Sequence, residues 1–126
     1  MSDLPRPTDA ELEILTVLWS RGPSTVRDVH EAISKRRTAQ YTTVLKLMQI
    51  MTEKQLVRRN ETQRAHVYEA ARPREWTQRQ LAGDLLERAF GGSASEMLVG
   101  ALAARRATKK ELAEIRRLLD EIEEAR

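Results

Sequence analysis

The fold is decided by residues 35–74, KRRTAQYTTVLKLMQIMTEKQLVRRNETQRAHVYEAARPR, whose pattern changes from a helix to two short strands around a turn. This segment holds ten basic and three acidic residues, a net charge of +7. Residues 1–34 carry −3 and residues 75–126 carry −1, so the whole chain is only +3. Charge concentrated in this way attracts polyanions, and a basic helix followed by a basic hairpin indicates a DNA-reading unit.

The composition limits the remaining possibilities. With 126 residues, 33% of them charged and 40% hydrophobic, the chain suits one ordinary domain or a small domain with an assembly element. It has no cysteine, which excludes disulfides, thiolate metal sites and cysteine nucleophiles. Residues 1–7 are predicted to be an irregular arm, without the pattern of a signal peptide. No apolar stretch approaches the roughly 20 residues of a membrane span, so we expect a cytoplasmic protein without membrane insertion.

Two helices are predicted before the basic segment. Thr8 and Glu11 fit a capping box that begins a helix over about 9–20. The buried face of this helix is predicted to contain Leu12, Leu15, Leu18 and Trp19. A second helix over about 25–36 ends in the basic run 35–37, which suits the negative end of a helix dipole. This run is either a solvated helix end or a phosphate contact.

A third helix is predicted over about 39–54, with two different faces. Its inner, apolar face is predicted to contain Tyr41, Val44, Leu47, Met48 and Met51. Its outer face is polar near the N-terminus, where a helix in the major groove presents side chains to base edges. The predicted base-reading residues are Gln40, Thr42, Thr43 and Lys46.

A β-hairpin is predicted after the third helix, with strands over 56–59 and 65–69 around a turn at 60–63. The order helix, helix, helix, strand, strand is that of a winged helix-turn-helix. The sequence therefore predicts a mainly α fold with a small β wing over residues 1–73. Basic side chains beside the reading helix suit phosphates or a narrow minor groove. The predicted backbone contacts are Arg37, Arg58, Arg59 and Arg64.

Residues 74–126 are predicted to form a helical dimerisation domain. Helices are expected over about 75–90, 93–105 and from 108 onward, and three amphipathic helices of this size bury too little surface alone. A second copy would cover their apolar stripes, giving a two-fold dimer on a pseudo-palindromic site. The predicted dimerisation residues are Leu85, Phe90, Met97, Leu98, Leu102, Leu112, Ile115, Leu119 and Ile122. The alternative is a monomer whose helices fold back on the winged domain.

Other chemistry finds little support in the sequence. His30 and His66 lie far apart without a nearby ligand set, so they are interpreted as packed or surface residues and no metal is expected. No glycine-rich phosphate loop and no Ser/His/Asp arrangement indicates a cofactor or an enzyme. Acidic residues alternate with basic ones on helix surfaces, which is typical of solvated salt pairs. The rival function is a winged-helix protein-interaction module that does not bind DNA.

Several segments together resemble the penicillinase repressor family of the BlaI/MecI type, which has a copper-responsive CopY branch. Two of the motifs are fairly specific in combination: Tyr-Thr-Thr-Val at 41–44 and Phe-Gly-Gly-Ser at 90–93. The resemblance covers nearly the whole chain, in order. The other matching segments are TDAELEIL at 8–15, LW at 18–19, TVRDVHEAI at 25–33, KQLV at 54–57 and ELAEIRRLL at 111–119.

The resemblance implies a homodimeric transcriptional repressor that binds a palindromic operator, often with autoregulation. In β-lactam resistance systems it also implies a membrane-bound sensor protease that cuts the repressor within its fifth helix. On this chain the cut would fall near residues 99–101, where the usual Asn-Phe is absent. The copper branch uses a C-terminal cysteine cluster, and this chain has no cysteine.

Overall fold

The computed structural model describes residues 6–126 and confirms a mainly α fold with a small β wing. Its elements are, in chain order, α1 (Asp9–Arg21), β1 (Ser24–Thr25), α2 (Val26–Ser34), α3 (Tyr41–Glu53), β2 (Val57–Asn60), β3 (Val67–Ala70), α4 (Arg74–Phe90), α5 (Ala94–Ala104) and α6 (Lys109–Glu124). The predicted arm at 1–7 falls mainly on residues 1–5, which lie outside the described part, while Arg6 and Pro7 are irregular.

The sheet has three strands in the order β1-β3-β2, instead of the two strands predicted. β3 pairs antiparallel with both neighbours, and its Tyr68 lies opposite Ser24 of β1 and Arg59 of β2. β1 was missed because two residues are too few to show the alternation that identifies a strand. Thr25 ends β1 and also caps α2: its hydroxyl accepts from the Asp28 amide at 3.1 Å, while the Asp28 carboxylate accepts from the Thr25 amide at 3.0 Å.

The core lies among α1, α2, α3 and the sheet. It contains twelve buried apolar side chains: Ile14, Leu15, Val17, Leu18, Val26, Val29, Ile33, Val44, Met48, Met51, Val57 and Tyr68. The predicted inner face of α1 was partly wrong, because Leu12 and Trp19 are only half-buried whereas Ile14 and Val17 are buried. The reason is that α1 contacts helices α2 and α3 as well as strand β3, so a broader arc of the helix is covered.

A buried ion pair joins the start of α1 to the end of α3. Glu11 is 2% exposed, and its Oε1 accepts from Lys54 Nζ at 2.7 Å and from the Thr8 amide at 2.9 Å. Burial raises the pKa of Glu11, but the hydrogen bonds from Lys54 and Thr8 outweigh it, so the pKa lies below its ordinary value. The interpretation of the acidic residues as solvated salt pairs was therefore wrong for Glu11, whose partner lies 43 residues away.

A tight turn leads from α3 into the wing. Gln55 takes the left-handed conformation with φ 62°. Its amide donates to Thr52 O at 3.1 Å, and the Leu56 amide donates to Met51 O at 2.9 Å. This is a Schellman closure, in which glycine is usual at the left-handed position. The turn fixes the direction in which β2 leaves α3.

The chain divides into two compact units, which we call the winged unit (Met1–Leu81) and the helical unit (Ala82–Arg126). The division falls inside α4, whereas the sequence placed the domain boundary at 73/74. The first turns of α4 go with the winged unit: Thr77 is buried, and Trp19 Nε1 donates to Arg72 O at 2.9 Å just before the helix. In the helical unit no residue is buried.

Candidate nucleic-acid interface

The four predicted base-reading residues surround the N-terminus of α3 and form what we call the reading face: Gln40, Thr42, Thr43 and Lys46. All four are exposed. Gln40 is the N-cap residue, but its side chain makes no capping hydrogen bond. Within residues 6–126, none of the four side chains has a hydrogen-bond or ion-pair partner. Donors and acceptors of the reading face therefore remain available to an outside ligand.

Tyr41 was predicted to lie on the inner face of α3, and this was wrong, since its side chain is 45% exposed. Helical periodicity placed Tyr41 on the apolar face of α3, but Tyr41 lies in the first turn of the helix, at the edge of the core, and His30 packs against its ring. The two rings meet edge to face, with centroids 5.6 Å apart and planes at 80°. His30 Nε2 also lies 2.8 Å from Ala39 O, to which it donates. His30 thus anchors the loop that begins α3.

The exposed side of Tyr41 borders a cleft of about 510 Å³ between the start of α3 and the wing. Arg27, Arg64 and His66 also line this cleft, so an aromatic ring lies among three basic side chains. Arg27 is 82% exposed and was not among the predicted contacts. Arg27 could have been predicted from its position in the first turn of α2, because in a helix-turn-helix that turn lies next to the helix that enters the groove.

The neighbouring wing arginines point to opposite faces of the sheet, since side chains alternate along a strand. Arg59 lies on the same face as its cross-strand partner Tyr68, while Arg58 lies on the other face. Arg59 NH2 pairs with Glu61 Oε2 at 3.1 Å. Hydrogen bonds with Tyr68 and then with Glu61 raise the pKa of Arg59. Arg58 and Arg64 are exposed. Arg64 lines the cleft beside Tyr41, whereas Arg58 and Arg59 line a different cleft with Pro23, so the structure does not bring the three wing arginines onto one surface.

Arg37 is held by α1. Its NH2 lies 2.6 Å from Glu13 Oε1, and its Nε donates to both oxygens of the same carboxylate. The hydrogen bonds from Arg37 hold the pKa of Glu13 below its ordinary value. Arg37 and Glu13 line a cleft of about 180 Å³ that also includes Gln40 and Thr43. The guanidinium is therefore next to the reading face but already paired, whereas Lys35 and Arg36 are exposed.

The predicted dimerisation residues lie on α4, α5 and α6. Leu85, Leu98, Leu119 and Ile122 are between 37% and 55% exposed, and the other five are half-buried: Phe90, Met97, Leu102, Leu112 and Ile115. Two exposed apolar residues of the same unit were missed, Val99 and Leu118. Apart from Tyr41, every large apolar residue that is exposed in the described part of the chain lies in the helical unit.

No group of three or more metal-ligating side chains occurs within residues 6–126. Over the same range, none of the helices combines the length and the apolar character needed to cross a bilayer.

Residues 7–121 match the family described as "Penicillinase repressor". The chain belongs to the penicillinase repressor family. Two curated relatives, each named "Transcriptional regulator BlaI" and both from Mycobacterium tuberculosis (strains CDC 1551 / Oshkosh and ATCC 25618 / H37Rv), are 46% identical over 69 residues. The match covers 54% of this chain and 50% of each relative, so the chain spans about half the length of the curated relatives it matches.

Two solved structures are similar in fold to about 60% of this chain. One is the solution structure of the monomeric form of BlaI from Bacillus licheniformis with the blaP half-operator, at a TM-score of 0.51 and 24% identity. The match covers 60% of this chain and 92% of the solved chain. The DNA-binding domain of the repressor BlaI also matches, at a TM-score of 0.51 and 24% identity, over 59% of this chain and 90% of its own. The predicted winged-helix fold is thus confirmed.

Proposed function

We propose that this penicillinase repressor family member is a transcriptional repressor that binds a palindromic DNA operator as a homodimer and acts in the cytoplasm without catalysing a reaction. One observation carries the proposal: the reading face is exposed, polar and without internal partners at the start of α3, within the segment of charge +7. The first turns of a helix can enter the major groove, and amide and hydroxyl side chains there discriminate base edges.

Two roles follow from the chemistry of the side chains: contact with bases and contact with phosphates. Gln40 can pair with adenine at two points, Thr42 and Thr43 can bond a base or pack on a thymine methyl, and Lys46 can meet guanine. Basic residues beside them would hold phosphates, which positions the protein without reading sequence. We assign this second role to Arg37, Arg58, Arg59 and Arg64, together with Arg27 and Tyr41 at the cleft.

Arg37 and Arg59 would have to exchange an internal partner for a phosphate. Glu13, whose side chain is 19% exposed, holds the first, and Tyr68 and the exposed Glu61 hold the second. Surface ion pairs contribute little to stability, so releasing them costs little when a phosphate replaces the carboxylate. The Glu13 carboxylate also keeps the Arg37 guanidinium ordered beside the reading face before DNA arrives.

The helical unit supports a dimer because it lacks a buried core of its own. Its apolar side chains remain exposed on all three helices, although Ser93 and Thr108 cap α5 and α6 correctly. A second copy would cover these side chains and place two reading helices about one DNA turn, or a multiple of it, apart. The operator should then be a pseudo-palindrome.

The test is a gel shift with the DNA upstream of the protein's own gene, at two salt concentrations, with random DNA of equal length as the control. A repressor of this kind should retain the upstream DNA selectively as salt rises, because only the nonspecific share is purely electrostatic. Equal retention of both DNAs would indicate nonspecific binding. Absence of binding at low salt would favour the protein-interaction module instead.

Relief of repression by a membrane sensor protease is a further part of the proposal. The segment at 99–101 lies within α5, and Val99 is 67% exposed. A helical segment must unfold locally before a protease can hold it in extended form, and α5 has no buried residue to oppose this. Incubating the dimer with such a sensor and sequencing the fragments would locate the cut. The neighbouring genes would show whether the system concerns antibiotic resistance.

A further inference from the structure

The cleft between the start of α3 and the wing, which we call the wing cleft, has an apolar interior and a basic edge. Its volume is about 510 Å³. Val26, Leu45 and Tyr68 line it with mainly apolar side chains and are buried or half-buried. The exposed lining residues include three basic ones: Arg27, Arg64 and His66. A ligand that matches both parts has an apolar body and a negative charge.

Acidic side chains distinguish the wing cleft from three other clefts of the molecule. Glu61 and Glu69 line the cleft beside Arg58, and Glu13 lines both clefts beside Arg37. Among the residues that the structure describes, no acidic one lines the wing cleft. Basic side chains without a carboxylate among them create a positive local potential, which attracts an anion.

Arg27 is available to such an anion. Its Nε lies 3.4 Å from Glu31 Oε1, and the two side chains are 82% and 59% exposed. An exposed pair of this kind contributes little to stability, so the guanidinium can turn towards a ligand at small cost. A guanidinium donates two parallel hydrogen bonds to the two oxygens of a carboxylate, which suits an organic acid.

Tyr41 offers an aromatic surface in the same cleft. Its ring is 45% exposed, and the edge-to-face contact with His30 supports it from one side. Leu45 follows four residues later, so it lies on the same side of α3 and extends the apolar surface by one turn. Aromatic rings pack favourably against each other beyond the area that they bury. The apolar body of the ligand is therefore best matched by an aromatic ring.

The wing cleft exists without a ligand. Thr25 directly precedes α2 and pairs with Val67, the residue after His66, in the antiparallel contact between β1 and β3. This pairing fixes the separation between the start of α2 and the wing. Preformed clefts of about 300–1,000 Å³ are typical of small-molecule sites.

We infer that the wing cleft binds an aromatic carboxylate, with the ring against Tyr41 and the carboxylate paired with Arg27 and Arg64, and that the bound acid opposes operator binding. The second part rests on the proposed function. Since Arg27 and Tyr41 are also proposed to contact DNA phosphates, the acid and the duplex would compete for the same side chains. An acid of this class would relieve repression without proteolysis.

Titration of the full chain with 2-naphthoate, followed by amide NMR shifts, tests the site. We expect the shifts to concentrate at residues 25–27, 41–45 and 64–68. Two control probes separate the contributions: 2-naphthamide keeps the ring without the charge, and acetate keeps the charge without the ring. Each should bind roughly tenfold more weakly or worse. Equal binding of either control, no shifts, or shifts mainly at the exposed Val99 and Leu118 of the helical unit would overturn the site.

Variants assign the roles of the side chains. The double change Arg27→Gln and Arg64→Gln should weaken 2-naphthoate binding roughly tenfold, because the charged donors are lost. Tyr41→Ala should weaken it roughly fivefold, whereas Tyr41→Phe keeps the ring and should retain it. The matched control is Arg106→Gln, an exposed arginine of the helical unit, which should have no effect. An unchanged affinity in the double variant or in Tyr41→Ala would overturn the inferred contacts.

A competition assay tests the effect on DNA. In fluorescence anisotropy with the DNA upstream of the gene, 2-naphthoate should release the protein, and acetate at the same ionic strength should not. If 2-naphthoate occupies the wing cleft and leaves the affinity for this DNA unchanged, the inferred relief of repression is wrong. If the protein binds no DNA even without 2-naphthoate, the proposed function fails instead, and the NMR titration still decides whether the wing cleft is a site.

Discussion

The winged unit and the helical unit differ in what stabilises them. The winged unit buries twelve apolar side chains among three helices and a sheet, and it adds the buried Glu11–Lys54 pair. The helical unit has well-capped helices but not one buried residue. Local signals such as caps and periodicity therefore specify the helices of both units equally well, whereas only the winged unit supplies its own tertiary stabilisation. If a second copy covers the helical unit, as proposed, the stability of this unit should depend on protein concentration.

The largest expected effect comes from removing a core side chain. Met48→Ala should lower the free energy of unfolding by about 3 kcal/mol, because Met48 is fully buried and the change leaves a cavity. This loss should be the same at every protein concentration. Leu119→Ala, at a half-exposed position, should instead weaken dimerisation. Urea unfolding and sedimentation at two protein concentrations measure both; a concentration-independent loss in the Leu119 variant would remove the contrast between the units.

The second effect concerns the buried ion pair. Lys54→Met should destabilise the winged unit by about 3 kcal/mol, because it leaves the Glu11 carboxylate buried without its partner. Adding Glu11→Gln should recover much of the loss. The matched control is Glu31→Gln, which breaks an exposed pair with Arg27 and should cost below about 0.5 kcal/mol. Similar losses for Lys54→Met and Glu31→Gln would contradict the importance of burial.

The same pair makes stability depend on pH. The folded pKa of Glu11 is depressed, so the unfolded state binds its proton more readily. The stabilisation is fully present above the unfolded pKa, roughly 4.3, and is lost as the pH falls through the folded value. In the Glu11→Gln variant, the free energy of unfolding should fall less between neutral and acid pH. Urea unfolding at several pH values measures this change. An unchanged acid slope would show that Glu13 and Asp28, whose pKa values are also lowered, account for it.

A smaller effect is expected from one hydroxyl of the reading face. Thr43→Ala should weaken operator binding by about 1 kcal/mol, roughly fivefold, and leave binding to random DNA unchanged, because base contacts carry the sequence information. Dimerisation should not change, since Thr43 lies in the winged unit. Titration of both DNAs by fluorescence anisotropy measures this, with Thr16→Ala as an exposed control on α1. Equal losses on both DNAs would remove Thr43 from base reading.

The smallest effect is expected at the wing. Arg59→Ala should weaken binding to all DNA and reduce the slope of log affinity against log salt by about one unit, because one phosphate contact is lost. The matched control is Arg106→Ala, an exposed arginine of the helical unit, which should leave the slope unchanged. An unchanged slope in the Arg59 variant, measured between two salt concentrations, would mean that this guanidinium stays with Glu61.

Much of the fold could be predicted because its signals are local. The Thr8–Glu11 capping box begins α1 within one residue of the prediction, and the polar first turn of α3 indicated the reading face. The missed features depend on distant parts of the chain. The two-residue strand β1 exists only through its pairing with β3, and the Glu11–Lys54 pair joins residues 43 apart. Tyr41 has the period of a core residue, yet the core ends before it. The roles of the site residues and the dimer remain predictions.

Thr25 belongs to the sheet and to the helix-turn-helix at the same time, as the last residue of β1 and the cap of α2. Strand β1 of the wing sheet runs directly into α2. The sheet therefore cannot move independently of the helices. If the winged unit binds a duplex, it does so in a preorganised conformation. It therefore loses little conformational entropy on binding. Adaptation to an imperfect operator would then fall on the DNA, through bending or groove width.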